Sequence, residues 1–185
     1  MIVMKPTLLI NSGGTLDSIP YRVTPKDVIM NDPSVVPSVL DQLQWNGAVH
    51  YCEWERKDSK KFSKLELLKL AQKIQGVKEE LVIVTHGTDA MPENAQFLKM
   101  MKRFFPDKTV VFTGAMVPVM NERKGYEKTD AFENLQTAMT LGSQAEPGVY
   151  IAYEGALHAP ECLKKDIAGK RFEVVPARST SWLSL

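Results

Sequence analysis

Two polar, glycine-rich segments have residue types suited to nucleophilic chemistry, and each directly follows a short apolar run. Asn11-Ser-Gly-Gly-Thr15 comes after T-L-L-I, and Thr85-His-Gly-Thr88-Asp89 comes after L-V-I-V. A threonine hydroxyl is a weak nucleophile, so an attacking threonine needs a neighbouring base, commonly lysine or tyrosine where no histidine serves. A carboxylate beside it would hold an ammonium group, either the substrate's or that of a lysine. The pattern therefore fits a small zwitterionic substrate.

Each of these features also has a purely structural interpretation. Gly13-Gly14 could form only a tight turn, and His86 could be a buried structural histidine, because no G-x-S-x-G elbow accompanies it. Asp89 and Asp130 could cap the helices that follow them. The G-x-G-x-x-G and G-K-[ST] patterns are absent from the sequence, so dinucleotide-binding and P-loop functions lose their defining features.

The elements around these motifs alternate between strand and helix. Apolar runs at 7–10, 81–85, 109–113 and 148–153 predict buried parallel strands, and 48–55 alternates as a further strand would. Helical periodicity covers 33–44, 63–75, 93–105 and 129–141, while 17–31 indicates a loop and 164–175 a closing hairpin. This predicts a three-layer α/β/α fold, Rossmann-like, with the motifs together at the carboxyl edge of a mostly parallel sheet.

Composition narrows the class of protein. With 185 residues, 44% hydrophobic and 24% charged, the chain suits one domain over 1–185, and its formal charge of +1 argues against a nucleic-acid or anionic-membrane partner. The N-terminus lacks the apolar core of a signal peptide, so a cytoplasmic location is expected. Cys52 and Cys162 fit no metal or redox spacing, which predicts free thiols. No cofactor and no metal ion are expected.

These motifs resemble those of the bacterial-type L-asparaginase and glutaminase family. Ser12-Gly-Gly-Thr15-Leu is similar to its first signature, T-G-G-T-I, and Thr85-His-Gly-Thr88-Asp89-Ala-Met to its second, T-H-G-T-D-T-M. Further segments match in the right order: Lys57-Asp58-Ser59, Thr113-Gly-Ala-Met116, and Thr129-Asp130-Ala-Phe-Glu-Asn134-Leu135. Ala90 and Ala131 depart from the family's usual hydroxyl residue and glycine.

The resemblance implies a role for each matching residue. Thr15 corresponds to the nucleophile, Tyr21 to the tyrosine that activates it, and Thr88, Asp89 and Lys165 to the second catalytic cluster, with Lys164 as the alternative lysine. Asp89 would bind the substrate's α-ammonium group and Ser59 its α-carboxylate. The residues expected to complete the binding site are Asp58, Gly87, Thr88, Ala115 and Met116.

The implied activity is hydrolysis of L-asparagine through an acyl-threonine intermediate, and the motifs leave open whether Thr15 or Thr88 attacks first. Glutamine hydrolysis, as in an ammonia-supplying amidotransferase domain, and a non-catalytic amino-acid-binding remnant are the alternatives. The resemblance reaches only the family's N-terminal domain, and typical members continue into a smaller C-terminal domain. Self-association to a dimer or tetramer is therefore expected to complete the site. The candidate interface residues are Met116, Val119, Met120, Tyr126, Trp182 and Leu183.

Overall fold

A computed structural model describes residues 5–19, 29–43, 45–120 and 128–176. In these ranges a six-stranded sheet has the order β2-β1-β3-β4-β5-β6, in which the first five strands are parallel and β6 is antiparallel. Two more strands, β7 and β8, form a separate antiparallel hairpin. The strands are β1 Thr7–Asn11, β2 Val49–Glu53, β3 Leu81–Thr85, β4 Thr109–Thr113, β5 Gly148–Tyr153, β6 Ala156–His158, β7 Leu163–Asp166 and β8 Arg171–Val174.

Four α-helices are fully bounded within the described ranges. They are α1 Val36–Leu43, α2 Lys64–Gly76, α3 Met91–Met100 and α4 Ala131–Gln144. Helix α2 begins with a capping box, in which the Ser63 hydroxyl accepts from the Glu66 N–H and the Glu66 carboxylate accepts from the Ser63 N–H. Helix α3 starts two residues before the predicted position, because Pro92 is compatible with the first helical turn.

Alternate strand residues divide the core into two layers, which confirms the α/β/α architecture. Leu8 and Ile10 of β1 pack in a cluster with α2, α3 and the β7–β8 hairpin. Leu9, between them, packs in a second cluster with α1 and α4. Both faces of the central strands are therefore covered, as their continuous apolar sequences predict.

Strand register brings the two threonine motifs to one edge. Asn11 at the end of β1 is the partner of Thr85 at the end of β3, and Thr85 is the partner of Thr113 at the end of β4. The strand order reverses between β1 and β3, so the loops after these strands flank the crevice where doubly wound sheets bind their ligands. The predicted convergence of the loops is confirmed.

The two cysteines, Cys52 and Cys162, are free thiols, as predicted.

The candidate interface residues that the structure describes are less exposed than their assignment requires. Val119 is 1% exposed and belongs to the core beside α4, so its assignment to an exposed interface patch was wrong. Met116 and Met120 are only partly exposed and pack against the two core clusters, while Tyr126, Trp182 and Leu183 lie outside the described residues. Among the helices described, none combines the length and apolar character needed to cross a membrane.

Candidate active site

The loops that follow β1 and β3 are in direct backbone contact through two glycines. Gly14 has a φ of 91°, and a Cβ at this position would overlap the backbone nitrogen of Gly87. A Cβ on Gly87 would in turn lie 2.8 Å from the Ser59 hydroxyl oxygen. The loops that carry Thr15 and Thr88 are thus packed backbone against backbone, and the Ser59 side chain packs against the Thr88 loop at Gly87.

This packing predicts that Gly14→Ala strongly destabilises the fold. The new methyl group must push the two loops apart, and alanine is disfavoured at a positive φ, so we expect a loss of about 1–3 kcal/mol in the free energy of unfolding. Urea denaturation would measure it. The matched control is Gly76→Ala at the end of α2, where a Cβ would meet nothing within 4 Å; this variant should be as stable as the wild type or more so. Equal stability of the two variants would contradict the close contact.

A buried polar network fixes the base of the Thr15 loop. Thr15 opens a 3-10 turn, Thr15–Asp17, and is partly exposed. The fully buried Asp17 carboxylate accepts hydrogen bonds from the Val35 N–H at 2.9 Å and from Arg56 at 3.1 Å. Its backbone carbonyl accepts from the Asn31 N–H at 2.8 Å, so both ends of the predicted 17–31 loop are tied together. Tyr21 itself lies outside the described residues.

Lys165 is placed against Thr88 by the β7–β8 hairpin. Its Nζ lies 3.1 Å from the Thr88 Oγ1 and 2.7 Å from the Met116 sulfur. Its partner in the hairpin, Phe172, is buried and packs edge-on against the Tyr153 ring. Strand alternation turns the adjacent Lys164 to solvent. Of the two lysines considered, Lys165 is therefore the one that reaches the threonine.

The surroundings of Lys165 make its ammonium group easier to deprotonate than that of an ordinary lysine. Burial of the amine lowers its pKa below the ordinary lysine value, although the carboxylates of Asp89, Asp130 and Asp166 act in the opposite direction. A neutral amine can accept a proton, and its Thr88 neighbour is 5% exposed. Lys165 and Thr88 thus place a candidate base at hydrogen-bond distance from a hydroxyl group.

The carboxylate of Asp89 forms an ion pair instead of capping α3. Its Oδ2 lies 2.8 Å from the Nζ of Lys60, and Ala90 occupies the N-cap position of the helix. The Ser59 hydroxyl accepts a hydrogen bond from the Ala90 N–H at 3.1 Å, and the Asp58 side chain accepts one from the backbone N–H of Lys60. Asp58, Ser59 and Asp89 are thus assembled at one place, with Lys60 as an additional charge that the motif analysis missed.

Asp130 supports the loop after β4 and does not face the threonine pair as a free carboxylate. It accepts hydrogen bonds from the Met116 and Val117 N–H groups, and Asn134 donates to it at 2.9 Å. It does not cap its own helix by a side-chain bond. Ala115 in the same loop is fully buried, while Met116 reaches Lys165. The loop thereby orients Met116 beside the lysine.

His86 is the centre of a buried hydrogen-bond chain across the site. The Ser12 hydroxyl donates to the Thr85 carbonyl at 2.5 Å, so the His86 Nδ1 must donate its proton to the same hydroxyl oxygen, 2.9 Å away. The Asn94 amide then donates to the His86 Nε2 at 2.9 Å and to the Ser59 carbonyl at 3.2 Å. A neutral histidine thus links the three loops, and its structural interpretation is supported.

This environment predicts a pH dependence of stability. Burial lowers the pKa of His86 to about 3, whereas the ordinary value is 6.5. Below pH 6.5 the unfolded chain binds a proton that the folded chain does not, so His86 makes the free energy of unfolding fall as the pH drops from 6.5 toward 3. In His86→Gln this fall should be shallower, although the variant is less stable at neutral pH. Urea denaturation across this range, with the partly exposed His158→Gln as control, would test it; identical slopes for the wild type and His86→Gln would count against a buried neutral histidine.

The fold and the site together define a doubly wound α/β domain with a threonine–lysine pair at its switch point. The sequence model of the family described as Asparaginase, N-terminal, matches residues 7–173. The chain therefore belongs to the asparaginase family, through its N-terminal domain.

One curated relative is similar to part of this sequence, and two solved structures share its fold. An L-asparaginase of Thermococcus kodakarensis is 36% identical over 72 residues, which are 39% of this chain and 20% of the relative. The solved structure of the thermostable L-asparaginase from that organism superposes with a TM-score of 0.70 at 18% identity, covering 91% of this chain and 51% of that one. L-asparaginase I from Vibrio cholerae gives 0.71 at 17% identity, with 93% and 52% covered. The chain thus spans about half the length of these structures.

Proposed function

We propose that this domain hydrolyses the side-chain amide of L-asparagine to L-aspartate and ammonia through an acyl-threonine intermediate. The observation that carries the proposal is the 3.1 Å contact between the Lys165 amine and the Thr88 hydroxyl, next to the loop of a second threonine, Thr15. A lysine with a lowered pKa is suited to move a proton at a hydroxyl group. Membership of the asparaginase family supports the same reaction.

In the proposed first step, the Thr15 hydroxyl oxygen attacks the amide carbon of the substrate. The hydroxyl proton passes to a base, for which Tyr21 is the candidate by resemblance, and backbone N–H groups at the glycine-rich strand ends stabilise the oxyanion. The base then gives this proton to the departing nitrogen as the C–N bond breaks, and the nitrogen leaves as ammonia. An ester between Thr15 and the aspartyl group remains.

In the second step, water attacks the ester carbon. The Lys165 amine, acting through Thr88, accepts a proton from the water, and the proton then returns to the Thr15 oxygen as the ester bond breaks. Aspartate is released and both threonines return to their starting state. Asp89 supports this cycle by stabilising cationic Lys165 electrostatically.

Substrate recognition is assigned to the polar side chains next to the pair. Asp89 binds the α-ammonium group and Ser59 contributes to binding of the α-carboxylate, while Asp58, Gly87, Ala115 and Met116 shape the pocket. We further propose that the protein works in the cytoplasm. We also propose that it forms a homo-oligomer, because the site lies at an open sheet edge and acyl transfer needs a pocket from which water is largely excluded.

The direct test is a coupled assay of ammonia and aspartate with purified protein. We expect equal amounts of both products from L-asparagine, and a lower kcat/KM for L-glutamine. The extra methylene of glutamine is worth about 1–3 kcal/mol in a fitted pocket. Faster release of ammonia from L-glutamine than from L-asparagine would favour the glutaminase alternative. Binding of aspartate without any turnover would favour the non-catalytic alternative and contradict the proposal.

A further inference from the structure

The ion pair between Lys60 and Asp89 lies where an amino-acid substrate is expected to bind. We propose that L-asparagine inserts its zwitterionic head into this ion pair, so that its ammonium group takes the place of Lys60 on Asp89 and its α-carboxylate becomes the new partner of Lys60. Lys60 is then a specificity-determining residue for α-amino acids. The inference rests on the proposed function and adds a recognition residue to it.

The two partners differ in how firmly they are held. Asp89 precedes α3, whose start is fixed by the bond from the Ala90 N–H to the Ser59 hydroxyl. Lys60 lies in the 3-10 turn Ser59–Lys61, and its side chain is 55% exposed against 32% for that of Asp89. A lysine head on a flexible four-carbon stem can swing while the carboxylate stays in place. The pair can therefore open on the lysine side.

Separating Lys60 from Asp89 costs little free energy, and new contacts with the ligand offset that cost. Ion pairs between exposed side chains contribute little to stability. The hydrogen bond to Asp89 raises the pKa of Lys60, so the lysine remains cationic when the ligand arrives. After insertion each charge again has an opposite neighbour: the ligand's ammonium group faces Asp89 and its carboxylate faces Lys60. A ligand without the carboxylate would displace Lys60 from Asp89 and bring no new partner for it.

Among the residues that the structure describes, two other lysines near the site, Lys57 and Lys165, have partners elsewhere. The ammonium group of Lys57 pairs with Glu66 and also lies 3.8 Å from Glu55. The Lys165 amine contacts Thr88 and Met116. Lys60, by contrast, adjoins Ser59, the residue already assigned to the α-carboxylate, and pairs with the carboxylate assigned to the ammonium group. Its position between these two recognition points is the basis of the assignment.

Calorimetric or NMR titration with L-aspartate and β-alanine tests this inference, because the two ligands differ only by the α-carboxylate. Lys60→Met should weaken L-aspartate binding by about 5-fold or more. It should leave β-alanine binding equal or tighter, since Asp89 is then free of its competitor. Lys60→Arg should retain most of the aspartate affinity, and the neighbouring Lys61→Met is the control for loss of a surface charge.

The possible failures are distinguishable. If Lys60→Met binds L-aspartate as well as the wild type does, or weakens both ligands equally, the inference is wrong while the proposed function stands. A wild-type chain that binds neither L-aspartate nor L-asparagine overturns the proposed function and the inference with it. Circular dichroism of the variants would confirm that the exposed substitution leaves the fold unchanged.

Discussion

Lys165→Met is expected to lower kcat for L-asparagine by at least about 10²-fold, because it removes the base that moves protons through Thr88. L-aspartate should still bind, since Asp89, Ser59 and Lys60 are untouched. In the wild type, activity should rise with pH as the Lys165 ammonium loses its proton, and this limb should lie below the ordinary lysine value of 10.5. Steady-state kinetics across pH, together with aspartate titration, would measure both effects.

The control for this experiment is Lys164→Met. The two lysines are adjacent on β7, but Lys164 is exposed, so its removal should change kcat by less than about 2-fold. An inactive Lys164 variant beside an active Lys165 variant would show that the hairpin register is shifted in solution. Loss of aspartate binding in Lys165→Met would mean that the lysine holds the site together and does not act in proton transfer.

Thr15→Ala and Thr88→Ala form the second pair with large expected effects. Each should lower kcat and kcat/KM together by at least about 10²-fold, because each hydroxyl acts in the transition state and not in ground-state binding. Thr15→Ser should recover part of the activity, since it retains a hydroxyl group at the same place. Initial rates of ammonia release, with thermal unfolding of each variant, would provide the comparison.

Thr140→Ala provides a matched control for these substitutions. Thr140 lies on α4, outside the loops that form the site, and its hydroxyl accepts a hydrogen bond from Gln136 on the same helix. Its replacement should leave turnover within about 2-fold of the wild type. Should Thr15→Ala keep near-normal rates on both asparagine and glutamine, Thr15 would be structural and the acyl-threonine mechanism would need another nucleophile.

Local sequence patterns were sufficient to predict the layers of this fold. Buried parallel strands are short and apolar and are followed within two residues by glycine here, so β3 and β4 were predicted to the residue. The start of α2 was recognisable because its capping box needs only Ser63 and Glu66, three positions apart. Strand β6 was missed because its three residues, which follow the turn at Glu154 and Gly155, are too few to show a period.

The polar interior of the site could not be predicted in the same way. The hydrogen-bond chain through Ser12, His86 and Asn94 and the pair between Asp17 and Arg56 join residues from distant segments. Nothing in the local pattern of either partner identifies the other, because such contacts are fixed only when the strands take their order in the sheet. Lys60 was missed for the same reason.

The measurement that tests the central claim most directly is acid quenching of the wild-type protein during turnover of L-asparagine, followed by mass spectrometry of its peptides. The account predicts an aspartyl ester on the peptide that contains Thr15, present only with substrate and absent from Thr15→Ala. An ester on Thr88 instead, or ammonia release at full rate from Thr15→Ala, would contradict the account.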